Sequence, residues 1–208
     1  MDSALEQLFR ETAGAYCANR ATVDNEWTSI AKHYGSARRF YHTLEHLQDL
    51  SNKLNEIKGS IEDWDATVFA LFYHDIIYNI VKKNNEQRSG LAAVKALNNF
   101  GYPLSRTHRV QAHINATAKH ELRMDQDTNF FTDADLSILG SAPKKYTQYR
   151  IHIRKEYWLY PDIVYNAGRR KVIEHFLTMK KIFKTDHFQQ LEEQARLNLQ
   201  QELLVLGN

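Results

Sequence analysis

An adjacent histidine and aspartate, His74-Asp75, sit between two apolar runs, Phe69-Ala70-Leu71-Phe72-Tyr73 and Ile76-Ile77-Tyr78. An imidazole beside a carboxylate can bind a metal ion, move a proton, or form a buried hydrogen-bonded pair. Apolar residues recur at Ile61, Trp64, Val68 and Leu71, steps of three and four that mark one helix face. Asp75 comes next on that stripe, so the pattern predicts a carboxylate on the core-facing side of a helix from Ser60 to about Asn79. A charge there is costly unless something compensates it. His74 lies about 100° round the helix, and a metal ion shared by the two side chains would serve.

The chain holds further residues of the same chemistry. His42 and His46 are four apart and share a helix face, with His46 at the edge of a buried stripe. Downstream, Phe131, Asp135, Ile138 and Leu139 fall on one face and place Asp135 toward the core; Asp133 lies off that stripe. Three helices thus offer His46, His74 with Asp75, and Asp135, with 28 residues from His46 to His74 and 60 from Asp75 to Asp135. The competing reading of the same residues is a buried salt-bridge or hydrogen-bond network. His113, His33, His108, His152, His175 and His187 read as packing or surface residues, and Lys82 and Lys83 as solvated.

The elements that must position these groups are helices. Three prolines and eight glycines punctuate 208 residues, and alternating β-branched runs are absent. Helices are expected over Ser3–Asn19, from Thr43 with the stripe Leu47, Leu50, Leu54 and Ile57, and over Asn85–Phe100, the last closed by Gly101. Others are expected from Ser105 to about Ala118, from Thr128 to Leu139, from Pro143 to Tyr160, from Ile163 to Phe183 and from Asp186 to Leu204. The stretch between Asn19 and Arg39 is mixed. The expected fold class is all-α, one domain over residues 1–208 with flanking terminal helices.

Composition narrows the function classes. With 43% hydrophobic and 25% charged residues the chain has the balance of a globular protein. A formal charge of +2 is too small to imply nucleic acid or an anionic membrane as partner. One cysteine, no signal-peptide pattern and no apolar run of about 18 residues lead to a cytoplasmic expectation.

A lone His, then a His-Asp pair, then a distant Asp within Ala134-Asp135-Leu136 resembles the HD superfamily of metal-dependent phosphohydrolases. Tyr41-His42-Thr43-Leu44-Glu45-His46, Phe72 to Tyr78, Asn85-Glu86 with Ser89, Asp133 to Leu136, Ile153-Arg154 with Glu156-Tyr157, and Ala195-Arg196 with Asn198-Leu199 resemble a bacterial branch of it. These stretches span most of the chain. The resemblance implies an all-α, bundle-like HD fold in which His46, His74, Asp75 and Asp135 hold a divalent ion (Mn, Fe, Co, Ni, Zn or Mg). It implies hydrolysis of a phosphoester or phosphoanhydride, with nucleotides as candidate substrates and Asp75 and His74 as the catalytic pair. His42, Glu86 and His120 are its candidates for a second ion or for substrate. Arg150, Arg154, Arg38 and Arg39 are candidates for binding phosphate. Two other readings stay open: an HD-type diiron oxygenase, and a non-catalytic nucleotide-binding or regulatory domain.

Overall fold

A computed structural model describes residues 3–207. It is all-α, and no strand occurs among the described residues. In chain order the helices are α1 (Ala4–Gly14), α2 (Arg20–Tyr34), α3 (Leu44–Glu56), α4 (Trp64–Tyr73), α5 (Asn85–Phe100), α6 (Leu104–Ala116), α7 (Gln126–Leu136), α8 (Pro143–Glu156), α9 (Asp162–Thr178), α10 (Asp186–Gln189) and α11 (Glu192–Leu206). Short 3-10 turns occupy Lys58–Ser60 and Ser137–Gly140. The chain forms two compact units, one reaching to Thr132 and the other starting at Asp133, so the boundary falls inside α7.

The first unit is built around α4, which packs against α1, α3, α5 and α6. Every residue from Ala66 to Tyr73 is buried, so α4 is apolar all round rather than amphipathic. Phe72 meets the edge of Phe9 at 5.1 Å between ring centres, and Phe69 meets Tyr102 at 4.9 Å. The start of α4 is pinned by charge. Asp63 caps it by accepting from the Ala66 N–H at 3.0 Å, and Arg106 grips both Asp63 oxygens. Asp127 accepts from the Glu62 and Asp63 N–H groups at 3.0 and 2.8 Å. Burial opposes ionisation of Asp63, but the Arg106 hydrogen bonds, the Ala66 N–H and the charges of Arg106 and Arg109 together outweigh it and hold the carboxyl below its usual range.

Several expectations are met: α5 spans Asn85–Phe100, Gly101 closes it with a left-handed φ of 74°, and Pro143 opens α8, whereas α1, capped by Ser3, stops at Gly14, short of Asn19. Others need correction. Helix α4 is shorter than its periodicity predicts: Ile61 precedes it, and Asp75 lies in the turn beyond it, not on its stripe. The reason is tertiary, because side chains of other segments take up the backbone groups that another helical turn would have paired. The mixed stretch is a helix, α2, capped by Asn19 and burying Val23, Trp27, Ile30 and Tyr34. Pro103, not Ser105, precedes α6, and the last expected helix breaks between α10 and α11.

In the second unit α11 packs on α9 and on the 3-10 turn at Ser137–Gly140. Gly140 is needed there, since a Cβ would lie 2.5 Å from Leu191 Cβ and 2.7 Å from its carbonyl oxygen. Asn198 donates to the Leu139 and Ser141 carbonyls, both at 2.8 Å. Glu202 is buried between Arg169, at 2.9 and 3.0 Å, and the Tyr146 hydroxyl. No helix among the described residues is long and apolar enough to cross a membrane.

His113 on α6 is fully buried; its Nδ1 donates to Thr128 Oγ1 at 2.7 Å, and that hydroxyl donates to Asp125. Nε2 has no partner. Burial pushes the imidazole down from 6.5 to about 4, against the opposing pull of Asp125. The unfolded chain therefore takes up a proton that the folded one refuses. Stability from this group is present above pH 6.5 and is lost as pH falls toward about 4. Between pH 7 and pH 5 it should cost about 2 kcal/mol, a drop that His113→Gln should lack in urea titrations at the two pH values. Equal pH slopes for the two proteins would contradict this. The depressed carboxylates Asp63 and Asp125 act at lower pH, below about 3.8, and do not confuse the comparison.

Candidate metal centre

Three donor atoms converge at the C-terminal end of α4. His46, one turn into α3, and His74, which caps α4, bring their Nε2 atoms to 3.2 Å of each other. His74 Nε2 lies 3.1 Å from Asp75 Oδ2, and the donor atoms of all three residues lie within 4.8 Å of one another. Both imidazoles are buried, whereas the Asp75 side chain keeps 17% of its surface.

The proton positions decide what this cluster is suited to. His74 Nδ1 is 2.9 Å from the Leu71 carbonyl, an acceptor only, so Nδ1 carries the hydrogen and neutral His74 presents a lone pair at Nε2. That lone pair faces a carboxylate oxygen at 3.1 Å and a second imidazole nitrogen at 3.2 Å. Either His46 donates an Nε2 hydrogen to that lone pair, or three lone-pair atoms meet and a positive charge, a proton or a metal ion, sits among them. Metal–ligand bonds of about 2.1 Å put neighbouring ligands about 3.0 Å apart at right angles and about 3.4 Å apart at the tetrahedral angle. The two separations from His74 Nε2 fall within that range, and with all three donors within 4.8 Å of one another His46, His74 and Asp75 could hold a metal ion.

Asp75 is positioned by its backbone. The Arg39 guanidinium donates to the Asp75 carbonyl at 2.8 Å, the Ile76 carbonyl at 2.9 Å and the His42 carbonyl at 3.2 Å. Ser89 Oγ accepts from the Ile77 N–H at 3.1 Å and donates back to its carbonyl at 3.3 Å. Asn85 brackets Asn79 with bonds at 3.1 and 3.0 Å. Asn85 and Ser89, singled out in the sequence as part of a motif, thus hold the segment after Asp75.

The other expected site residues are placed as follows. His42 stands beside the cluster, its Nε2 3.7 Å from Asp75 Oδ2 and its ring 4.3 Å from that of Tyr78. Glu86 is half-buried in the first turn of α5, and His120 follows α6 with a φ of 53°. Asp135 is half-buried on the last turn of α7, in the second unit. Asp133, expected off the core face, is in fact fully buried: it accepts from the backbone of Lys184 and Thr185, from Lys184 Nζ and from Thr185 Oγ1. Arg154 joins the end of α8 to the start of α9 through Asp162 and the Tyr157 and Tyr160 carbonyls, which accounts for its place in the sequence pattern without a substrate. Arg150 is half-buried on α8. Sequence reasoning missed the clamping role of Arg39; only its neighbourhood to Tyr41 and His42 hinted at it.

Comparison with protein-family models, with curated proteins and with solved structures gave no match. What the geometry defines is an all-α protein whose buried His46, His74 and Asp75 can hold a metal ion.

Replacing Arg39 by Met leaves three carbonyls without their donor. The expected cost is about 1–3 kcal/mol in denaturant titration, together with a 10–100-fold loss of affinity for added Zn2+ or Mn2+ by calorimetry. Unchanged metal affinity in a folded Arg39→Met variant would show that the clamp does not position Asp75.

Proposed function

We propose that the protein is a metal-dependent phosphohydrolase acting on a phosphoester or phosphoanhydride, with nucleotides the first substrate class to test. The observation that carries this reading is the convergence of His46 Nε2, His74 Nε2 and Asp75 Oδ2. Two imidazoles and a carboxylate suit Mn, Fe, Co, Ni, Zn or Mg. A divalent ion bound there would acidify a water and neutralise phosphoryl charge. The remaining work belongs to the chain. The Leu71 carbonyl keeps His74 in the tautomer that presents a lone pair at Nε2. Asp75, the least buried of the three, orients the attacking water and takes its proton.

The 3.7 Å approach of His42 to Asp75 supports a second reading, in which a second ion is held and the chemistry is oxidation of an organic substrate by O2. Two irons per chain without phosphate release would favour it.

With divalent metal restored, phosphate release from a panel of nucleotides is expected, and Asp75→Ala should reduce it by at least about a hundredfold. Near-normal release by that variant would sink the assignment.

A further inference from the structure

A second feature of the first unit lies beyond the metal ligands. A cavity of about 510 Å3 is lined by Ser29, Lys32, His33 and Ser36 from α2 and the residues just after it, by Arg39, by Ile76 to Asn79, and by Arg88 of α5. Its volume falls within the range of small-molecule sites. Three side chains of its lining are permanently cationic, and none is a carboxylate.

Three other arginines of the same unit are neutralised: Arg106 by Asp63 and Asp65, Arg109 by Glu62 and Asp125, Arg10 by Glu6. Lys32 and Arg88 form no ion pair among the described residues. The end of α2 favours Lys32 and His33 through the helix dipole, but that does not account for Arg88 and Arg39, which arrive from other segments. Arg39 uses three of its five N–H groups on carbonyls and keeps the rest. Like charges converge here without a counter-charge, and hydroxyls of Ser29 and Ser36 stand beside them. Ile76, Ile77 and Tyr78 give the cavity an apolar wall.

We infer that this cavity binds a small anion carrying two or more phosphoryl groups, gripped by Lys32, Arg39 and Arg88. A compact polyanion matches three converging cations better than a monoanion does. The site does not depend on the hydrolase reading, because its ligand is held without metal.

The test is calorimetry with pyrophosphate, tripolyphosphate and ATP in the presence of chelator, which removes any contribution from the metal centre. Saturable one-to-one binding is expected, weakened at least tenfold in the Lys32→Ala/Arg88→Ala double variant. Both residues are exposed and unpaired, so the variant should keep the wild-type melting temperature, which is measured alongside. Tighter binding of ATP than of tripolyphosphate would place a base against Tyr78, and equal binding would confine recognition to the phosphates. No binding by any of the three would overturn the proposal. So would equal affinity in the double variant, or competition by sulfate at the same concentration, which would reduce the cavity to a general electropositive surface.

Discussion

The His74–Asp75 turn depends on one guanidinium. Arg39 bonds the carbonyls of His42, Asp75 and Ile76 at once, and so ties the segment entering α3 to the segment leaving α4. Its charge is also flanked by the faces of Tyr34 and Tyr78, at 4.8 and 5.4 Å from the ring centres. Without that donor the carbonyls would need another partner, and a further turn of helix is the cheapest one available to the backbone. A continued helix would carry Asp75 elsewhere. The placement of the carboxylate is therefore a consequence of where Arg39 reaches, not of helical periodicity.

Helix α4 supplies the rigid part of the arrangement. The burial of every residue from Ala66 to Tyr73, and the charged network of Asp63, Arg106 and Asp127 at its start, fix where its last residue points. His74 is then oriented from within the same helix by the Leu71 carbonyl. A buried imidazole locked in one tautomer, facing an imidazole and a carboxylate, is a preorganised donor set, with ordering costs met during folding. His46 comes from the first turns of α3, so two helix ends and one turn build the cluster.

Much of this was legible in the sequence, for uneven reasons. The helical class followed from the scarcity of breakers and the three-and-four spacing of apolar residues, and α5 was marked at both ends by polar and glycine signals. The association of His46 with His74 and Asp75 followed from residue types and their order. The stripe argument for Asp75 reached a useful residue by a faulty route, since hydrophobic spacing runs on past a helix end that tertiary hydrogen bonds impose. The same limitation hid Asp133, whose burial depends on N–H groups 51 and 52 residues downstream. The α2 stripe of Val23, Trp27, Ile30 and Tyr34 was present but diluted by polar neighbours. Of the cationic cavity only Arg39 was singled out in the sequence as a phosphate candidate, because Lys32 and Arg88 meet it only in three dimensions.

The central claim is that His46, His74 and Asp75 exist to hold a metal ion. Elemental analysis of protein purified without chelators tests it most directly, with His74→Ala prepared in parallel. The account predicts at least one divalent transition metal or magnesium per chain in the parent protein, and its loss in the variant. A metal-free parent that stays metal-free after incubation with each candidate ion would contradict it, leaving the three converging atoms to share a proton instead.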